Sequence, residues 1–492
     1  MGMVKTVIYD GAEVAGQKAV AVGGGRILAL GPGELLRRAF PEADLRQVAG
    51  RFSPAFLDGH LHLLAYGRAL GELDLAGLEL GAAREALLAA RAARAGWLRG
   101  RGASTGLLAG LAADQDILRR LAPLRVWAHD LHTLLSDPES VRALGLDRHV
   151  PPGGAVERGQ DGLPTGLLRE TAALPLAKAA DEDEGGAEAA VERAIRDLWR
   201  RGIVGAVTFE TPEGVKAVAS ATGRLPFRAY VYQTADSIGE GTVPHRLGRR
   251  AALVGAKFFL DGTLGSRTAW LQAPYADAPG LGLPRHDPDE LRAPMQSLAR
   301  RGFSLAVHAI GDAAAEAALG LLAPLPPADA PHRIEHLQLV PEGFSRRLRA
   351  ADVTASIQPC HLDQDLEDAR RAWADRLGRA YPYHALCDAG VRIALGSDAP
   401  VESPSPALNL KWALGADAVG GGARHRLDVG EALRGYREGV YGSVGRRCED
   451  IAPGAPADLA LYRQGPEHGE EPLLVLSEGQ EVFRAAEAYV EQ

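Results

Sequence analysis

Cysteine, lysine and asparagine are scarce in this 492-residue chain, and no run of 18 apolar residues occurs in it. Three cysteines, Cys360, Cys387 and Cys448, are too few and too scattered for a disulfide framework or a paired-cysteine zinc site. The missing apolar run excludes a spanning helix. The start, Met1-Gly2-Met3-Val4-Lys5-Thr6, lacks the apolar core of a secretory signal. No basic excess exists either: 55 basic against 63 acidic residues give a net charge of −8, which offers nothing to nucleic acid or an anionic membrane. The expectation is a reduced, cytoplasmic protein that acts on a small molecule, alone or as a homo-oligomer. Lysine occurs at only six positions (5, 18, 178, 216, 257 and 411), so arginine is the default cation. A lysine inside an apolar strand is therefore informative here.

What the chain does have is 46% hydrophobic and 24% charged residues, the ordinary mixture of a globular protein with ample material for a core. The first fifty residues read as short strands, Val4–Tyr9, Ala19–Val22 and Arg26–Leu30, separated by Asp-Gly and Gly-Gly turn signals. From residue 225 strands and helices alternate. Strands at Leu225–Tyr232, Ala256–Leu260, Ser304–His308, Arg333–His336, Val353–Gln358 and Arg392–Asp398 are interleaved with helical stretches at 287–302, 312–323, 341–351 and 364–390. This rhythm predicts a parallel sheet with right-handed crossovers. Chemically capable residues lie in or just after several of these strands (Lys257, His308, His336, His361 and Asp398), which favours a (β/α)8 barrel over an open sheet.

Residues 70–200 show helical periodicity at 81–98, 112–122 and 184–201. They are too long for one crossover, so part of them reads as an insertion over the barrel mouth. The tail returns to strands at Ala457–Tyr462 and Gln480–Arg484. The expected architecture is α/β: a barrel over 53–404, including the insertion, beside a small β-sandwich built from 1–52 and the strand-rich parts of 405–492.

The sharpest local signal is Phe56-Leu57-Asp58-Gly59-His60-Leu61-His62. Side chains at i and i+2 of a strand share a face about 6.5–7 Å apart, which lets His60 and His62 converge on one metal ion. Alone, such a pair is more often a strand-end structural feature, one ring satisfied and the other in solvent. His308, His336 and Asp398, each closing a further apolar strand, complete a nitrogen and oxygen ligand set suited to zinc or a similar divalent ion. Lys257 sits in the apolar strand Gly255-Ala256-Lys257-Phe258-Phe259-Leu260. Burial lowers a lysine's pKa and yields a nucleophilic neutral amine. Three readings follow: a Schiff-base lysine, a lysine carboxylated by carbon dioxide to bridge two metals, or a lysine paired with Asp261.

These residues together resemble the amidohydrolase superfamily of metal-dependent hydrolases. The stretches Lys257 to Thr268, His308-Ala309-Ile310-Gly311-Asp312, Arg333-Ile334-Glu335-His336 and Gly396-Ser397-Asp398-Ala399-Pro400-Val401 resemble its family 3 branch, which includes N-substituted formamide deformylases. So do Asp130-Leu131-His132-Thr133, Gly166 to Glu170 and Pro453 to Leu459. The resemblance covers nearly the whole chain. It implies a barrel with a β-sandwich from both termini, a first metal on His60, His62 and Asp398, and a second on His308 and His336. It also implies a carboxylated Lys257 bridging the two ions. One departure is the tryptophan-rich stretch expected before the insertion, thinned here to Gly96-Trp97.

The expected reaction is hydrolysis of a non-peptide amide, formamide or cyclic amide C–N bond by a metal-activated hydroxide. Asp398 serves first as general base and then as general acid. His132, Arg267 and His361 are the candidate substrate contacts, and His129, His149 and His425 read as surface histidines. Three rivals stay open: a deaminase on the same metal and barrel, a Schiff-base aldolase using Lys257, and a non-catalytic binding protein on the same scaffold.

Overall fold

A carboxylate and two glycines close the barrel. Phe56–Leu61 (β1) and Ile393–Leu395 (β8) come so close that a Cβ on Gly396 would lie 2.3 Å from the His60 nitrogen, and one on Gly59 would lie 2.6 Å from the Leu395 oxygen. Only glycine permits that approach. Asp58 Oδ1 accepts the N–H groups of both His60 (2.9 Å) and Ser397 (3.1 Å), while Ser397 and Asp398 donate back to His60 O.

The computed structural model describes residues 5–93, 96–128, 133–151, 154–182 and 186–490. Between the two seam strands lie Ile203–Glu210 (β2), Arg228–Thr234 (β3), Ala251–Phe259 (β4), Ser304–Ala309 (β5), Arg333–His336 (β6) and Thr354–Ile357 (β7). The eight pair in parallel in the order β1-β2-β3-β4-β5-β6-β7-β8, and a parallel bridge from Leu61 to Ala399 brings the ends together. The result is the nearly closed eight-stranded parallel barrel that the alternating rhythm predicts. β2 was not expected. Its eight residues are all buried, Thr208 and Glu210 included, and a strand buried on both faces shows no polar/apolar alternation to read. The helix expected at 364–390 breaks into Leu362–Trp373, a 3₁₀ segment at Ala374–Arg379, and Tyr383–Asp388.

Both termini contribute to one mixed sheet. Val7–Val14, Gln17–Gly23, Arg26–Gly31, Asp44–Gln47 and Arg51–Pro54 join Leu459–Tyr462, Leu474–Ser477 and Gln480–Arg484. Leu459–Tyr462 runs antiparallel to Arg51–Pro54, and the sheet folds over a core that includes Tyr9, Val20, Phe52, Leu461 and Leu474.

The chain divides into two compact units, Met1–Leu63 with Ile195–Gln492, and Leu64–Ala194. The second contains a six-stranded sheet in the order Gly154–Arg158, Pro164–Glu170, Thr133–Ser136, Leu124–Ala128, Leu98–Ala103 and Leu73–Asp74. Helical periodicity does not announce these strands. Two of them carry buried arginines, Arg99 and Arg125, the latter ion-paired with Glu72, so charge interrupts the apolar alternation that marks a strand. No helix among the described residues is long and apolar enough to cross a membrane.

Candidate metal centre

The strand ends at one mouth of the barrel gather the predicted ligands. His60, the fifth residue of β1, is buried, and its Nδ1 lies 2.6 Å from Glu335 Oε2 on β6. His62 donates from Nδ1 to the carbonyl of Phe209 at 3.0 Å. Both rings therefore turn Nε2 inward, and both Nε2 atoms lie 3.3 Å from Asp398 Oδ1. His336 meets Gln358 Oε1 through Nδ1 at 2.9 Å, and His308 meets Gly262 O through Nε2 at 3.0 Å. In each of these four rings the outward nitrogen has an oxygen acceptor, which leaves a lone pair on the inward one. That is the state a metal ligand needs.

Among the described residues, two groups of three have donor atoms that all lie within 4.8 Å of one another: His60, His62 and Asp398, and His336, His361 and Asp398. Asp398 belongs to both. His308 is in neither group, but its ring centroid is 4.5 Å from that of His336. The donor set of imidazole and carboxylate fits zinc or a similar divalent ion.

Backbone conformation aims two of these side chains. Arg333 and Glu335 share one face of β6, so a regular strand would send His336 to the other. His336 and Leu337 instead adopt φ values of 77° and 48°, and Asp398 one of 60°. Left-handed backbone at non-glycine residues is strained and concentrates at functional sites.

Beneath the histidines lies a buried charged layer. Arg333 donates to Glu335 through Nε (2.6 Å) and Nη2 (3.0 Å), and also to Gly59 O, Ser356 Oγ and Ser443 Oγ. Burial alone would raise the Glu335 pKa, but the Arg333 guanidinium and His60 outweigh it and hold the carboxyl well below its usual range. Asp398 is likewise held low against its burial by the surrounding imidazoles. Burial pushes His308 down to about 3 and His336 well below the usual histidine range, so both rings are neutral at pH 7.

Lys257, on β4, is buried with Nζ 4.4 Å from the centroid of the Phe209 ring, the same ring that lies 4.2 Å from His60. Burial lowers its pKa to about 8. The alternative pairing with Asp261 is not made. Asp261 instead accepts backbone N–H groups from Trp270, Ile310 and Gly311, and among the described residues Lys257 forms no ion pair.

The three expected substrate contacts fare differently. His132, like His129, lies outside the described residues. Arg267 is bound to Asp277 (2.6 Å) and Asp368 (3.4 Å), which occupies its guanidinium. His361 is buried and its Nε2 lies 3.6 Å from Asp398 Oδ2, so the site includes it. His149 is exposed as expected. His425 is not: it is buried, with Nε2 2.7 Å from Gly420 O, in a loop whose backbone Asp417 also ties down. Sequence reasoning missed Asp58, Phe209, Gln338 and Gln358. Asp58 alone carried a readable signal, its i−2 spacing from His60 on the same strand.

A sequence model of the amidohydrolase family matches residues 50–483. YtcJ of Bacillus subtilis (strain 168), which carries an amidohydrolase name, is 28% identical over 498 residues covering 94% of each chain. An N-substituted formamide deformylase of Arthrobacter pascens is 26% identical over 497 residues, covering 91% of this chain and 90% of that one. Among solved structures, an uncharacterized metal-dependent hydrolase from Pyrococcus furiosus superimposes with a TM-score of 0.74 at 22% identity, over 94% of this chain and all of that one.

Proposed function

The chain belongs to the amidohydrolase family, and from that premise we propose that it hydrolyses a non-peptide C–N bond of the amide, formamide or cyclic amide type. The observation that carries this reading is the placement of Asp398. One of its oxygens faces the Nε2 atoms of His60 and His62 at 3.3 Å each, while the other lies 3.6 Å from His361 Nε2.

His60, His62 and Asp398 would hold one divalent ion, zinc by donor chemistry. His308 and His336 would hold a second, with Lys257 carboxylated by carbon dioxide as the bridge. Carboxylation needs a neutral amine, and burial against Phe209 supplies one near pH 8. When bound, such ions lower the pKa of water toward about 7 and polarise a carbonyl. The chain's own residues do the rest. Asp398, kept ionised, takes a proton from the attacking water on its outer oxygen. It returns that proton to the leaving nitrogen as the C–N bond breaks, releasing a carboxylic acid and an amine. Glu335 and Phe209 O hold the rings of His60 and His62 in the tautomer that keeps their inner lone pairs free.

The test begins with metal content per chain, by elemental mass spectrometry, on protein purified without chelator. One to two equivalents of zinc, iron or manganese are expected. Amine release is then followed over a panel of formamides, N-acyl compounds and cyclic amides. Ammonia released from ring amines, with no amine from the panel, would assign a deaminase instead. Protein that takes up no metal, even with zinc and bicarbonate supplied, refutes the reading.

A further inference from the structure

Of the five histidines that the described residues bring to the site, four offer a lone pair to its centre; the fifth does not. The Nδ1 of His361 lies 3.1 Å from the amide nitrogen of Gln338, and that same nitrogen lies 3.0 Å from Asp365 Oδ2. An amide nitrogen only donates. It gives one hydrogen to Asp365 and the other to His361 Nδ1, which must therefore accept. The proton of a neutral His361 then sits on Nε2.

Turning the amide over would place its oxygen against the Asp365 carboxylate, and Asp365 Oδ2 already faces the Tyr381 hydroxyl at 3.4 Å. The reversed arrangement would need a proton on that same oxygen. Gln338 Oε1 is buried and has no hydrogen-bond partner among the described residues. That cost is tolerated because relieving it by rotation forfeits both contacts of the amide nitrogen.

His361 Nε2 is itself buried, and among the described residues it has no hydrogen-bond partner. Its nearest acidic oxygen, Asp398 Oδ2, is 3.6 Å away, beyond hydrogen-bonding distance. The ring stacks on His336, with centroids 5.8 Å apart and planes 19° from parallel. A fixed, unused N–H thus points into the space beside the general base.

We infer that His361 is not a metal ligand but a hydrogen-bond donor to the scissile carbonyl oxygen, held as its Nε2–H tautomer by the Asp365–Gln338 relay. This rests on the amide-hydrolase reading. As water adds to the carbonyl carbon, the carbonyl electron pair moves onto oxygen, and the N–H holds that charge until the C–N bond breaks. A preorganised donor of this kind contributes mainly in the transition state, so its loss is expected in kcat more than in KM.

Two variants test the assignment on full-length, metal-loaded protein. His361→Phe keeps the ring and its stack on His336 but removes both nitrogens. It is expected to retain the wild-type metal equivalents, with affinity in a chelator competition within about twofold, and to lose about 10²–10³ in kcat with KM little changed. Gln338→Leu removes the donor to Nδ1, so nothing holds the proton of a neutral ring on Nε2. The expected result is a fall in kcat in the same direction as in His361→Phe, with no metal lost. Loss of a metal equivalent in His361→Phe would make the residue a ligand and overturn the proposal. Wild-type turnover in either variant would overturn it equally. Metal content needs no substrate, so a protein inactive on the whole panel would refute the hydrolase reading while the metal comparison still decided the role of His361.

Discussion

At the scale of single residues, the site depends on which atom of each side chain is committed outward. Asp398 has one oxygen on His60 and His62 and the other 3.6 Å from His361 Nε2, so its proposed roles of ligand and proton carrier fall to different oxygens. Asp398→Asn keeps an oxygen for the metal but cannot take a proton. Metal content is expected to persist while turnover falls about 10²–10⁴-fold, and near-normal turnover would remove Asp398 from the proton path. Glu335 never reaches the substrate side, yet it accepts from His60 Nδ1 and is clamped by Arg333. Glu335→Gln is expected to weaken metal binding about 10–100-fold in a chelator competition. Unchanged affinity would reduce the carboxylate to a packing role. His60 and His62 were legible because the strand period of two puts them on one face. Glu335 was legible only as part of a motif, since its partner lies 275 residues away and comes near only when the barrel closes.

At the scale of elements, the strand rhythm gave the order of the barrel but not the direction of every side chain. In β6, Arg333 and Glu335 face the interior as alternation requires, and His336 joins them only because its backbone turns to φ 77°. Nothing in Arg-Ile-Glu-His announces that turn. β2 and the six-stranded sheet of the second unit were missed for different reasons, one being buried on both faces and the other interrupted by arginine. Arg333 also fastens β6 to its surroundings, reaching Gly59 O in β1, Ser356 in β7 and Ser443. Arg333→Met would leave Glu335 charged, buried and without its main partner. Removing one half of a buried pair costs about 3–5 kcal/mol, so the urea midpoint is expected to fall and metal affinity with it. A variant with both unchanged would show that the pair contributes neither to stability nor to ring orientation.

At the scale of the whole molecule, the candidate metal centre occupies one end of the barrel strands, and a separate charged cluster occupies the other, within the same compact unit. There the hairpin turn Glu478-Gly479 of the terminal sheet meets the arginines around the starts of β3 and β4, beside a cavity of about 220 Å³. Glu478 Oε2 accepts from Arg249 (2.8 Å) and twice from Arg250 (2.8 and 3.1 Å), and Arg228 pairs with Asp458. Burial would raise the Glu478 pKa, but Arg250 and Arg249 outweigh it, and the folded-state value lies below the ordinary one. A carboxylate depressed in the folded state contributes stability above its unfolded pKa of about 4.3, and that contribution is lost as pH falls through the lower folded value. Glu478→Gln keeps the shape and removes the charge. It is expected to melt below wild type at pH 7, and the gap should close as pH drops beneath about 4. Metal content and turnover at pH 7 should be unchanged, because no residue of this cluster reaches the metal centre. A gap that persisted undiminished at pH 3 would mean that Glu478 acts through packing rather than charge. Loss of metal in the same variant would mean that the terminal sheet and the metal centre are coupled through the barrel.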